Sequence, residues 1–72
     1  MTLREGGIYV LPNGKELVVS GPGNAPGILF RLRELDQFGT TEYEVNDSGR
    51  LMTEGKLTAW DLHQLQDTGK TG

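Results

Sequence analysis

The sequence predicts a mainly β fold, a small antiparallel meander of five strands with a short C-terminal helix, and three observations carry that prediction. Apolar residues fall in short runs such as Ile8-Tyr9-Val10-Leu11, Leu17-Val18-Val19 and Ile28 to Leu35, each about the length of a strand. Eleven glycines and three prolines in 72 residues sit singly between those runs, so turns are frequent and collagen-like order is excluded. From Thr58 onward the spacing becomes three, with Ala59, Leu62 and Leu65 on one face of a short helix.

The first two runs flank Pro12-Asn13-Gly14-Lys15, and Asn-Gly favours the positive φ angles of a two-residue hairpin turn. That turn pairs Val10 with Leu17 and Ile8 with Val19 on one side, and Tyr9 with Val18 on the other. Ser20 to Gly27 carries two prolines and three glycines and reads as a loop, since proline lacks the ladder donor. Ile28 to Leu35 and Thr40 to Val45 then alternate. A single offset pairs Phe30 with Val45 and Leu32 with Tyr43, and the same offset sets Arg31 against Glu44 and Arg33 against Glu42. Asn46 to Arg50 fits a three-residue loop with Gly49 left-handed, which pairs Val45 with Leu51, Glu44 with Met52 and Tyr43 with Thr53. Thr58 followed by Asp61 has the spacing of a capping box at the start of the helix. Residues 1–66 are thus expected as one small β domain, and residues 67–72, without an apolar side chain, as a disordered tail.

Composition narrows the classes of function. Leu, Ile, Val and Phe supply 18 of the 72 residues, enough to collapse a chain, so disorder throughout is excluded. A domain this short buries only about 60% of its unfolded surface. With no cysteine to staple it, stability is expected to be a few kcal/mol. The lack of cysteine also removes disulfides and thiolate chemistry and fits a reducing compartment. Met1 to Gly7 has no basic region followed by an apolar stretch, and no run approaches the ~18 apolar residues of a membrane span; a soluble, cytoplasmic protein is expected. Seven basic against ten acidic residues leave a net charge of −3, the wrong sign for affinity built on phosphates, so neither nucleic acid nor membrane is an expected partner.

Motif by motif, no catalytic centre emerges. Gly69-Lys70-Thr71 has the letters that end a phosphate-binding loop, but Gln64 stands where its first glycine belongs and no chain remains for its helix. Asp67-Thr68-Gly69 has the letters of an aspartic-protease loop without a second one to complete a dyad. The glycines of Gly21 to Gly27 miss the dinucleotide spacing by one, and proline stands where a helix should begin. His63 has Ala59 four residues before it and Asp67, at or beyond the helix end, four after it, too few ligands for a site, so no metal is expected. Glu42 and Glu44 read as solvated partners of arginines rather than a catalytic carboxylate pair, and Glu54 offers no third role. No cofactor and no enzyme activity are expected.

The aromatic residues are the remaining lead. Tyr9 is expected on the second side of the sheet with Val18, Leu29, Leu35 and Met52, and Trp60 on the helix off its apolar stripe. Tyr9, Trp60, Met52 and Leu29 are the candidate binding residues. A partly apolar second face is covered by a closing barrel, by the helix or by a partner. The long loop at Ser20 to Gly27, the tight turns at Asn13-Gly14 and Asp47 to Gly49, and a helical turn near the end together resemble Src-homology-3-like barrels over about residues 6 to 66. The resemblance implies a partly open barrel; the alternative is an α+β arrangement with the helix packed on one face of a flat sheet. The acidic loop and aromatic pair of the peptide-binding members are absent. The expected function is a non-enzymatic module that binds a protein or peptide, with a small accessory subunit that self-associates as a homodimer through an apolar sheet face as the alternative.

Overall fold

The computed structural model describes residues 3–35 and 41–71. Their strands are β1 (Gly7–Val10), β2 (Glu16–Pro22), β3 (Ile28–Glu34), β4 (Glu42–Asn46), β5 (Arg50–Thr53), β6 (Lys56–Asp61) and β7 (Gln66–Thr71), with a 3-10 helical turn at Leu62–Gln64 between the last two. They form one antiparallel sheet in the order β6-β5-β4-β3-β2-β1-β7. The mainly β class holds, but the sheet has seven strands where five were expected.

The middle of the sheet follows the expected offsets. Phe30 pairs with Val45, Arg31 with Glu44, Leu32 with Tyr43 and Arg33 with Glu42. Tyr43 pairs with Thr53, Glu44 with Met52 and Val45 with Leu51. Thr40, expected to open the fourth strand, lies outside the described residues; β4 begins at Glu42.

The first hairpin is offset by one residue from expectation. Tyr9 faces Leu17 and Ile8 faces Val18. Pro12 is the cause: its fixed φ suits the second position of a type I turn. Gly14 then closes a three-residue loop at φ 88, where its N–H donates to the Leu11 carbonyl at 2.8 Å. The Leu11 N–H donates to the Lys15 carbonyl at 2.9 Å. A one-residue slip exchanges the faces of a strand, so Tyr9 enters the core. β2 also continues through Gly21 and Pro22, shortening the expected loop. A bulge between Val19 and Gly21 sets Pro22 opposite Phe30, at the strand end where a missing donor costs little.

The expected helix from Thr58 is mostly strand. Glu54 (φ 53) and Gly55 (φ 75) form a two-residue turn that brings Lys56 opposite Thr53 and Leu57 opposite Met52. A lone helix of about eight residues is marginal in water, whereas the edge of β5 offers ready backbone partners. The Thr58 hydroxyl donates to the Leu51 carbonyl at 2.9 Å instead of capping a helix. The capping box does exist, three residues later: the Asp61 side chain accepts from His63 N–H, and Gln64 Oε1 accepts from Asp61 N–H, both at 2.9 Å. Only a single turn follows, and it carries Leu62 into the core, its N–H donating to the Gly49 carbonyl at 2.7 Å. With no α-helix among the described residues, the alternative of a helix packed on a flat sheet falls away.

Residues expected as a disordered tail form β7, which pairs with β1 at Gly7–Thr71, Tyr9–Asp67 and Val10–Gln66. Backbone bonds hold an edge strand without any apolar side chain, so its sequence shows no pattern. The Thr68 hydroxyl donates to the Ile8 carbonyl at 2.7 Å, and Arg4 grips Asp67 through both guanidinium and carboxylate edges.

The core cluster centres on Tyr9, Leu17, Leu32, Val45 and Leu51, joined by Leu3, Leu62 and Leu65, with Phe30 and Trp60 packed against it. Every described buried polar side-chain atom has a hydrogen-bond partner.

Candidate functional site

The four residues singled out from sequence separate onto different surfaces. Tyr9 is 2% exposed, and its hydroxyl accepts the Arg4 N–H at 2.9 Å, so it is a core residue and cannot contact a partner. Its ring lies under the Arg4 guanidinium, 5.8 Å from the centroid. Trp60 is half-buried against the core rather than standing on a helix. Its backbone N–H donates to the Thr58 hydroxyl at 3.2 Å.

Met52 and Leu29 remain on the outer side of the sheet. Leu32, Val45 and Leu51 point into the core, so by alternation Arg31, Glu44 and Met52 point away from it. Leu57 pairs with Met52 and joins that outer set at 65% exposure, the most exposed large apolar residue described. Leu29, 45% exposed, sits beside a β3 bulge one strand beyond β4. Sequence reasoning missed Leu57 because the segment after Gly55 was read as the approach to a helix. Glu54-Gly55 between two β-prone runs was the available signal.

The outer face also carries acid. Glu42 and Glu44, with Thr41, Glu54 and Gly55, line a groove of about 430 Å³. A smaller apolar notch of about 170 Å³ lies between Leu3, Val19, Pro22 and Phe30. The register opposes arginines to Glu44 and Glu42, but Arg31 turns its Nε to the Pro22 carbonyl at 3.0 Å. The ion pairs among the described residues are Arg4–Asp67 and Lys15–Glu34. The latter ties the first turn to β3 at 2.7 Å, and Tyr43 donates its hydroxyl to the same carboxylate at 3.2 Å. Burial, together with the neighbouring Glu34 charge, raises the Tyr43 phenol above its ordinary pKa despite the opposing Lys15 charge.

The look-alike motifs have structural employment. Asp67 of Asp67-Thr68-Gly69 is held below the ordinary carboxylate range by its bonds from Arg4, aided by the Gly69 N–H. Gly69-Lys70-Thr71 lies in strand β7. His63 is exposed on the 3-10 turn, and among the described residues no three His, Asp or Glu side chains are grouped to hold a metal ion. Nor is any described helix long and apolar enough to cross a membrane. Compared with protein-family models, curated proteins and solved structures, the chain matches none.

Proposed function

We propose that this chain is a non-enzymatic interaction module that binds a protein or peptide segment on the outer face of β3 to β6. The observation that carries the reading is Leu57, a large apolar side chain 65% exposed and paired with Met52 on a face the rest of the described chain leaves open. We read the architecture as a Src-homology-3-like, partly open barrel, supported by the 3-10 turn that leads the last strand back to β1, with two strands more than expected. Lack of cysteine suits the reducing, cytoplasmic setting in which such a module would work.

The test is capture from source lysate by the wild type and by a Met52→Ser/Leu57→Ser variant, with sedimentation of both. Loss of a captured partner with an unchanged melt supports the reading. Capture that survives the double change places binding elsewhere. A wild-type dimer that dissociates in the variant would show instead that the face serves self-association.

A further inference from the structure

The face that exposes Leu57 also presents carboxylates that enter no ion pair among the described residues, although the register sets Arg31 opposite Glu44 and Arg33 opposite Glu42. Glu42 and Glu44 of β4 and Glu54 of the β5–β6 turn share one groove, and among the described residues no basic side chain lines it. None of the three takes part in an ion pair among the described residues. Arg31, opposite Glu44 in register, spends its Nε on the Pro22 carbonyl. Met52 lies beside Glu44, and Leu57 beside Met52, so an apolar strip borders the acidic groove. If the outer face is the binding surface, as proposed above, its occupant must answer both features.

Phosphate-bearing polymers and anionic lipid surfaces are repelled by such a groove, and a chain of net charge −3 adds to that repulsion at long range. A bare divalent ion needs closely converging ligands, and the described side chains form no such group. A cationic side chain needs less convergence: its head group occupies a space of this size and interacts with carboxylates several ångströms apart. We propose that the outer face binds a cationic peptide segment of a protein partner. A lysine or arginine enters the groove of Glu42, Glu44 and Glu54, and an adjacent apolar side chain rests on Leu57 and Met52. Charge then sets specificity and encounter rate while the apolar strip supplies contact area.

An array of random hexapeptides tests this, probed with the wild type, the Glu42→Gln/Glu44→Gln/Glu54→Gln variant and Leu57→Ser, each checked by thermal melt. The best peptides are then titrated into isotopically labelled protein at low and high salt. The expected result is enrichment of Lys or Arg next to Leu, Ile or Phe, with amide shifts at residues 41–44 and 52–57. Affinity should fall about tenfold in the triple variant and also at high salt. Enrichment of uncharged apolar peptides that the triple variant binds equally well would overturn the cationic partner and leave the outer-face reading intact. Absence of any peptide binding sensitive to Leu57→Ser would remove that reading, and this inference with it. Shifts confined to Leu3, Val19 and Phe30, or the same outer-face shifts produced by calcium or magnesium alone, would overturn it as well.

Discussion

Replacing Gly23 by alanine should cost this protein a large part of its stability. Gly23 follows β2 and begins the loop to β3, and a Cβ there would stand 1.7 Å from the Ile28 carbonyl oxygen and 2.4 Å from its carbon. These are backbone atoms, so no rotamer change relieves the overlap. Reaching even 3.0 Å requires 3.0 − 1.7 = 1.3 Å of main-chain movement, in a segment held from both sides. The Gly23 N–H donates to the Leu29 carbonyl at 3.0 Å, and the Ile28 N–H to the Ala25 carbonyl at 3.1 Å. Losing both bonds at about 1 kcal/mol each, with some loosening of the Pro22–Phe30 end, gives a cost of about 2–4 kcal/mol. For a domain of this size that lowers the melting temperature by roughly 10–25 °C. Urea denaturation followed by circular dichroism measures it, with Asn24→Ala, one exposed residue further on, as a near-neutral control. A Gly23→Ala midpoint matching that control would refute the close approach and, with it, the geometry of this loop.

Trp60→Ala removes a half-buried ring packed against the core, not a surface anchor, and should cost about 2 kcal/mol in a thermal melt while leaving outer-face binding intact; an unchanged melt would place the indole in solvent. Acidification should release β7: the Asp67 carboxyl titrates in the folded protein below its ordinary 3.8, so its contribution is full above that value and is lost as pH falls through the folded pKa. Protection factors at residues 66–71, corrected for the intrinsic exchange rate at each pH, should therefore fall below about pH 4, and Asp67→Asn should abolish that fall; protection factors that stay unchanged at lower pH would exclude the link.

The central strands were legible from sequence because one offset satisfied two independent patterns. Phe30, Leu32, Tyr43 and Val45 fill one face under the same register that aligns Arg31 and Arg33 with glutamates, and a one-residue slip breaks both. The first hairpin lacked that redundancy. Ile8, Tyr9, Val10 and Leu11 are apolar at every position, so neighbouring offsets looked equally good and the turn chemistry of Pro12 and Gly14 decided. That choice moved Tyr9 from a candidate contact into the core. Of the candidate residues, Met52 lies on the outer side and Leu29 is exposed, while Glu44 and Glu42 stand opposite Arg31 and Arg33 as the offset required, without closing ion pairs among the described residues.

The C-terminal third depended on tertiary structure. Ala59, Leu62 and Leu65 have helical spacing, and Thr58 and Trp60 favour strand, so local preference was divided; the open edge of β5 settled it by offering backbone partners from the start of β6. β7 has no local signal at all, since its order comes from the free edge of β1 and from Arg4, 63 residues before Asp67. Leu57 reached the outer face, on the edge strand, through the same event. Sequence alone determined the β class, the Asn46 to Arg50 turn and the pairing of the middle strands, where side-chain patterns are local and redundant. The fate of residues 56–71 was decided by backbone groups that any sequence carries, and only the assembled sheet determines which of them are left to pair.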